Sequence, residues 1–425
     1  MLNSAIGLLR MSNSGFSNPF ALGGLAPEVR APVAFLMSLT FVNWLGFAAW
    51  QVLLNNFTVE MAGFAWKDMG ITQSLREVPG FLAFTAIFWF MLMREQTLGY
   101  ISLLLLGIGI ALTGFFPTLG GVLVTTMIMS VGFHYFETVN QSLQLQILPK
   151  ADAPRLMGRI AAASAAAQFI AYGGLALAWW SGFRDYKTIY LVIGSICVGM
   201  TLWSMQHFPR FDGPVPQRKE IVLRKRYWLY YLLTFMSGAR RQLFHAFGGF
   251  LLVKSFGYSL ADMAMLMLVT AALNTVFAPR MGHLIATLGE RRTIAIENAV
   301  LVIVFAGYAL TTSAAVAGLL FIVDGIFFTL MLAQRTYFQK IGDAADMAAT
   351  SSVAFTINHI AAVGLPVTFG MIGMINPSLI FWLGVGIAST SFVLSFLVPE
   401  KPAPGNETVL SSLRAQPAEW LPPRG

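Results

Sequence analysis

Residues 187–226 read KTIYLVIGSICVGMTLWSMQHFPRFDGPVPQRKEIVLRKR, an apolar stretch followed by a basic, proline-rich segment near the middle of a 425-residue chain. About 20 mostly apolar residues suffice for a helix to cross a bilayer. Lys and Arg gather on the cytoplasmic side of such helices. The stretch therefore reads as a membrane crossing at 187–206 that delivers the chain to a cytoplasmic linker, Gln206 to Arg226. A second apolar run, YWLYYLLTFMSGARRQLFHAFGGFLLV at 227–253, leaves the linker at once.

The same rule applied outward predicts further spans at 33–56, 71–93, 97–116, 119–145 and 157–180 before the linker. After it come 262–283, 293–312, 314–335, 350–374 and 378–398. The predicted fold is an all-α membrane protein of about twelve transmembrane helices in two pseudo-symmetric six-helix halves. The halves cover 33–205 and 227–398, with tails at 1–32 and 399–425. A short apolar stretch, Ala5 to Leu9, is too brief to cross a bilayer, so the first tail is expected to stay cytoplasmic.

Composition agrees. The chain is 56% hydrophobic and 11% charged, where soluble domains carry about 25% charged residues. The net charge of +8 comes from short basic blocks between apolar runs, not from a stripe suited to nucleic acid. A single cysteine, Cys197, excludes an internal disulfide and a thiolate metal cluster. Of the 27 Lys and Arg residues, three lie deep in spans and four (Lys67, Arg184, Lys187 and Lys254) fall in loops on one side. The remaining twenty fall on the other side, which predicts cytoplasmic termini and a bacterial inner membrane as the setting.

An offset near 193 residues aligns the fourth span of each half, matching Gly132 to Gly325, Gln141 to Gln334 and Gln146 to Gln339. With this topology the chain resembles the major facilitator superfamily of secondary transporters. That family carries a loop G-x-L-a-D-R-x-G-R-K-x after the second helix of a half. The second half here has Gly282-His283-Leu284-Ile285-Ala286-Thr287-Leu288-Gly289-Glu290-Arg291-Arg292, keeping both glycines and the basic pair but placing Ala286 where the acid belongs. The first-half loop, Leu92 to Gln96, is degenerate. The resemblance implies gating roles for Gly282, Gly289, Arg291 and Arg292. The fifth span has Gly173-Gly174 and no proline, which counts against a multidrug exporter.

Ionisable groups inside a membrane span are functional candidates because burying them is costly. The deep ones are Arg76 and Glu77 in the second span, His134 and Glu137 in the fourth, Arg240, Arg241 and His245 in the seventh, Asp324 in the tenth and His359 in the eleventh. Successive helical positions point about 100° apart, so Arg240 and Arg241 cannot face one cavity equally. His245, four residues past Arg241, is expected on its face. A guanidinium suits a carboxylate, phosphate or sulfonate, and an ion pair with Asp324 or Glu137 is the structural alternative. His134, Glu137, Gln141 and Gln144 form a polar stripe, on which Glu137 is the candidate proton-coupling group, with Asp324 and His134 beside it. Arg76 and Glu77 are read as an outer gate or a structural pairing, though as neighbours they are not expected to pair with each other. Asn43 and Trp44 in the first span, and Asn358 and His359 just before a helix break expected at Pro366, complete the candidate substrate-binding residues. Glu297 is read as a surface group. Three deep arginines against Glu77, Glu137 and Asp324 would allow complete mutual pairing.

The expected function is secondary active transport of a small, possibly anionic, organic solute, proton-coupled, by a monomer embedded in lipid without cofactor, metal or nucleic acid. A non-transporting scaffold or receptor, or a membrane enzyme on the same scaffold, is the alternative.

Overall fold

The computed structural model describes residues 22, 25–149, 152–211, 223–343 and 347–412. Much of the 1–32 tail, the centre of the 206–226 linker and the end of the C-terminal tail lie outside the described residues. The described residues are helical, with no strand beyond one isolated bridge between Ala403 and Asn406.

Among the described residues, ten helices are long and apolar enough to cross a membrane. The second and seventh spans complete the twelve, and both are built from pieces. The second runs through Trp66–Phe81, a 3-10 turn at Leu82–Thr85 and Ala86–Leu92. The seventh runs through Trp228–Gln242, a π-helical turn at Leu243–Gly248 and Gly249–Phe256. These two carry Arg76, Glu77, Arg240 and Arg241. The same charges that lower their apolarity sit next to the irregular turns, as is common where a helix serves a site. The eighth and ninth spans form one run, Leu260–Leu310, broken at Gly289, whose φ of 78° and ψ of 166° lie outside the helical region.

By alternation of the spans, the described residues near 25–27, 93–94, 148–152, 208–211, 223–227 and 396–412 share one face of the bundle, called here the termini face. The turns near residues 61–65, 114–118, 181–185, 257–259, 311–313 and 376 share the other, called here the far face. Each half packs mainly on itself: the first span on the fifth, the third on the fourth and sixth, the seventh on the eleventh, and the ninth on the twelfth. The halves meet where the second span packs on the eleventh and the fifth on the eighth.

Small residues bring the second and eleventh spans together. A Cβ added at Gly70 would collide with the Pro366 carbonyl oxygen and come within 3.1 Å of the Gly370 Cα. Pro366 does not break its helix as expected; Met347–Ile375 is continuous through it. The packing explains why. The Val367 N–H just beyond the proline donates to Ser74 Oγ across the seam at 3.0 Å, so a neighbouring helix satisfies the disturbed backbone. Nearer the far face, Trp66 stacks on Phe247 with ring centroids 6.2 Å apart and meets Phe250 edge-on at 5.0 Å. Asn56 Nδ2 donates to the Tyr258 carbonyl at 2.8 Å. These contacts join the two halves near the far face.

Candidate functional site

Where the second, fourth, seventh and eleventh spans converge, the charged residues collect around Glu77. Its carboxylate is paired with the adjacent Arg76, and its Oε2 accepts from Arg241 Nη2 of the other half at 3.2 Å. His359 Nε2, also of the other half, lies 3.6 Å from the same oxygen. The His134 ring stands edge-on to His359 with centroids 5.5 Å apart. Glu77, Arg76, His134 and His359 are buried, and the Arg241 side chain is 25% exposed. Arg76 and Glu77 thus pair with each other after all. Their directions diverge at the backbone, but two long side chains can curl together where hydrocarbon offers no alternative partner.

Gly80 permits the crowding. A Cβ there would overlap His359 Cδ2 and fall 2.8 Å from His134 Cε1. His359 Nδ1 is 2.9 Å from the Phe355 carbonyl, a contact that requires the proton on Nδ1 and leaves Nε2 as an acceptor in the neutral ring. An aromatic wall leads toward the cluster: Phe133 stacks on Phe47 at 4.0 Å, Trp44 stands edge-on to both, and Arg76 lies 5.9 Å over Phe47.

Two guanidinium groups against one carboxylate leave this cluster with an excess positive charge while the imidazoles are neutral. Glu77, His134 and His359 each offer one ligand atom within 4.8 Å of the others, the spacing of a metal site. Both arginines already hold the Glu77 carboxylate, so the local charge favours an anion over a divalent cation.

Arg240 turns the other way, into the core of the second half. Its Nη2 donates to Glu297 Oε1 at 2.5 Å and its Nη1 to Asn298 Oδ1 at 3.0 Å. Glu297 is fully buried, not a surface group: the ninth span places it one helix layer inside, where a guanidinium compensates it. The two neighbouring arginines therefore serve different sites, and neither pairs with Glu137 or Asp324. Three deep arginines hold two carboxylates, Glu77 and Glu297. Glu137 accepts from Asn43 Nδ2 at 2.7 Å, and Asp324 is buried with Oδ2 lacking a hydrogen-bond partner. Neither carboxyl forms a salt bridge among the described residues.

His245 lies in the π-helical turn, where it hydrogen-bonds Gln51 of the first span at 3.1 Å and remains within electrostatic reach of Arg241. Asn358 packs where the seventh and eleventh spans approach most closely, with its carbonyl oxygen 2.5 Å from a Cβ added at Gly238. Of the motif residues, Gly282 lies within the 260–310 helix run, Arg291 stands 5.7 Å over the Phe396 ring and Arg292 is exposed. The buried acid next to Gly289 is Glu290, which meets Lys340 of the tenth span at 2.7 Å.

A cavity of about 330 Å³ opens at the seam of the fifth and eighth spans, beside Gln168, Phe169, Asn274 and Thr275. Asn274 Oδ1 is buried without a partner. Neutral amides inside apolar runs carry no charge signal, so the sequence does not single out Gln168 and Asn274.

The profile of the Major Facilitator Superfamily matches residues 31–366. The chain belongs to the major facilitator superfamily. It is a membrane transporter and not an enzyme. Solved structures similar to it include the nucleoside transporter NupG, at 15% identity and TM-score 0.67, covering 86% of this chain and 97% of that one. A bacterial homologue of the human lysosomal transporter Spinster, inward-facing and occupied, matches at 13% identity and TM-score 0.73, covering 88% and 97%. A POT family transporter in complex with 5-aminolevulinic acid matches at 10% identity and TM-score 0.67, covering 85% and 94%. At these identities the likeness is one of fold. No curated protein matches the sequence.

Proposed function

We propose that this transporter moves a small organic anion by alternating access, driven by protons, and that Arg241 meets the anion at the seam between the halves. One observation carries the reading: Glu77 of the first half is held by Arg241 and approached by His359 of the second, in a cluster where positive charge exceeds negative. A substrate carboxylate or phosphate can take the place of Glu77 on Arg241, since the planar guanidinium binds such groups through two parallel hydrogen bonds. Exchanging an internal carboxylate for a substrate one loosens a bond between the halves. Binding thereby favours the rearrangement that moves the site from one side to the other. Trp44, Phe47 and Phe133 supply an apolar surface for the organic part of the solute.

Contacts between the halves near the far face support a state that opens toward the termini face. By the basic-loop asymmetry, that side is the cytoplasm. Cysteines placed at Pro214 and at Lys67 should then label from opposite sides of oriented vesicles, Pro214 from the cytoplasmic side. Labelling of both from one side would overturn the twelve-span orientation. The driving proton belongs on a carboxyl within the spans that no cation fully neutralises, a description that fits half-buried Glu137 and buried Asp324.

Uptake tests the reading. Proteoliposomes offered a mixture of small carboxylates, phosphate esters, amines and neutral solutes, with contents read by mass spectrometry, should accumulate one or more anions when a proton gradient is imposed. Accumulation of amines or neutral solutes without any anion would refute anion transport. Equal anion levels with and without the gradient would refute proton drive.

A further inference from the structure

The second half contains a buried group whose charges do not balance. Arg240 of the seventh span is its cation, and Glu297 of the ninth and Asp324 of the tenth are its acids. The three are 3%, 0% and 2% exposed. Asp324 lies within electrostatic reach of both Arg240 and Glu297. Glu297 Oε2 and Asp324 Oδ2 are each buried without a hydrogen-bond partner, as is the Tyr308 hydroxyl near Asp324. Asn298 supplies the remaining polar contact to Arg240. The twelfth span, Pro377–Ser395, brings no ionisable side chain, and Asp262, Arg280 and His283 of the eighth lie toward its ends. His359 of the eleventh faces Glu77.

One guanidinium cannot neutralise two carboxylates. A second uncompensated anion is unfavourable at this depth, and where two buried carboxyls lie near one cation, one of them avoids that cost by staying protonated. We propose that Glu297 and Asp324 hold one exchangeable proton beside Arg240, carried by Asp324 while Arg240 holds Glu297, and that this proton, not one on Glu137, is coupled to transport. The proposal rests on the proton-driven reading above and names its site. Loading takes one proton from water onto a carboxylate and brings the group to zero net charge. Release returns the proton to water and leaves a second carboxylate that competes with Glu297 for Arg240.

The next residue in the chain links this group to the substrate site. Arg241 holds Glu77 across the seam, and the π-helical turn at Leu243–Gly248 begins two residues later. A shift of Arg240 toward Asp324 turns this segment of the seventh span and moves Arg241 relative to Glu77. The proton and the anion thereby act on one helix from two of its faces.

Infrared spectroscopy of the purified full-length protein reads the proton without a known substrate. With Glu137→Gln removing that carboxyl from the signal, one C=O band of a protonated, buried carboxylic acid should remain at neutral pH and shift in heavy water. Adding Asp324→Asn should abolish it, because Arg240 and Glu297 then balance. Glu297→Gln should do the same through an Arg240–Asp324 pair, and serves if the first variant fails to fold. Absence of the band in folded Glu137→Gln protein, or its survival in both double variants, would overturn the buried proton. Loss of the band when choline chloride is replaced by sodium chloride would also overturn it, in favour of a sodium site. Spin labels on the two halves at the termini face should report a pH-dependent separation that Asp324→Asn removes; retained pH dependence would refute the coupling. Arg241→Lys should keep the band, so failure of the anion site and failure of the proton site give different results.

Discussion

Arg240→Gln is expected to lower stability by about 3–5 kcal/mol, the range found when one member of a buried ion pair is removed. The loss goes beyond one pair. Glu297 and Asp324 would remain buried in the core of the second half without their cation, and Asn298 Oδ1 would lose its donor. Glu297→Gln alone should cost less, because Asp324 remains as a counter-charge for Arg240. Adding Glu297→Gln to Arg240→Gln should recover most of the loss by leaving Asp324 free to carry its own proton. Thermal unfolding of the four detergent-purified proteins, followed by size-exclusion recovery after heating, measures the series. Equal losses in the two single variants would mean that Asp324 does not take part.

Arg241→Lys should behave in the opposite way, sparing the fold and losing transport. Its side chain is partly exposed at the seam, and a lysine there keeps the charge beside Glu77. What disappears is the pair of parallel N–H donors. A hydrogen bond to a charged group contributes about 1.5–3 kcal/mol, so anion affinity should fall roughly 10- to 100-fold at about 1.4 kcal/mol per decade. Concentration-dependent uptake measures the effect, and thermal unfolding checks that the variant is folded. Uptake with unchanged half-saturation in Arg241→Lys would remove Arg241 from the substrate.

The membrane spans were legible in the sequence because the bilayer imposes one length and one polarity on each of them. The deep charges were legible as candidates for the same reason. Their partners were not. Glu297 sits near the end of an apolar run, where sequence position alone favours snorkelling to the surface; only the fold, which brings Arg240 of the seventh span to its carboxylate, pairs the two. His245 shares a face with Arg241 under regular helical spacing, but its hydrogen-bond partner, Gln51 of the first span, lies 194 positions away along the chain. Pro366 reads as a break because its missing N–H is local, while the Ser74 hydroxyl that relieves the strain comes from a residue 293 positions away along the chain. The Arg76–Glu77 pairing escaped a rule about backbone directions that long side chains do not obey. Apart from that adjacent pair, periodicity located the residue, and contacts remote in sequence decided what it does.

Binding of an anion by Arg241 at the seam between the halves should show as stabilisation of the purified protein against heat. Ligands that bind the folded state raise apparent stability in proportion to the logarithm of their concentration over Kd. Small organic acids should be compared at matched concentration with their own uncharged amides, in wild-type and Arg241→Lys protein. At least one acid should raise Tm in the wild type, its amide should not, and Arg241→Lys should lose the response. An amide as effective as its acid, or a full response in Arg241→Lys, would contradict it.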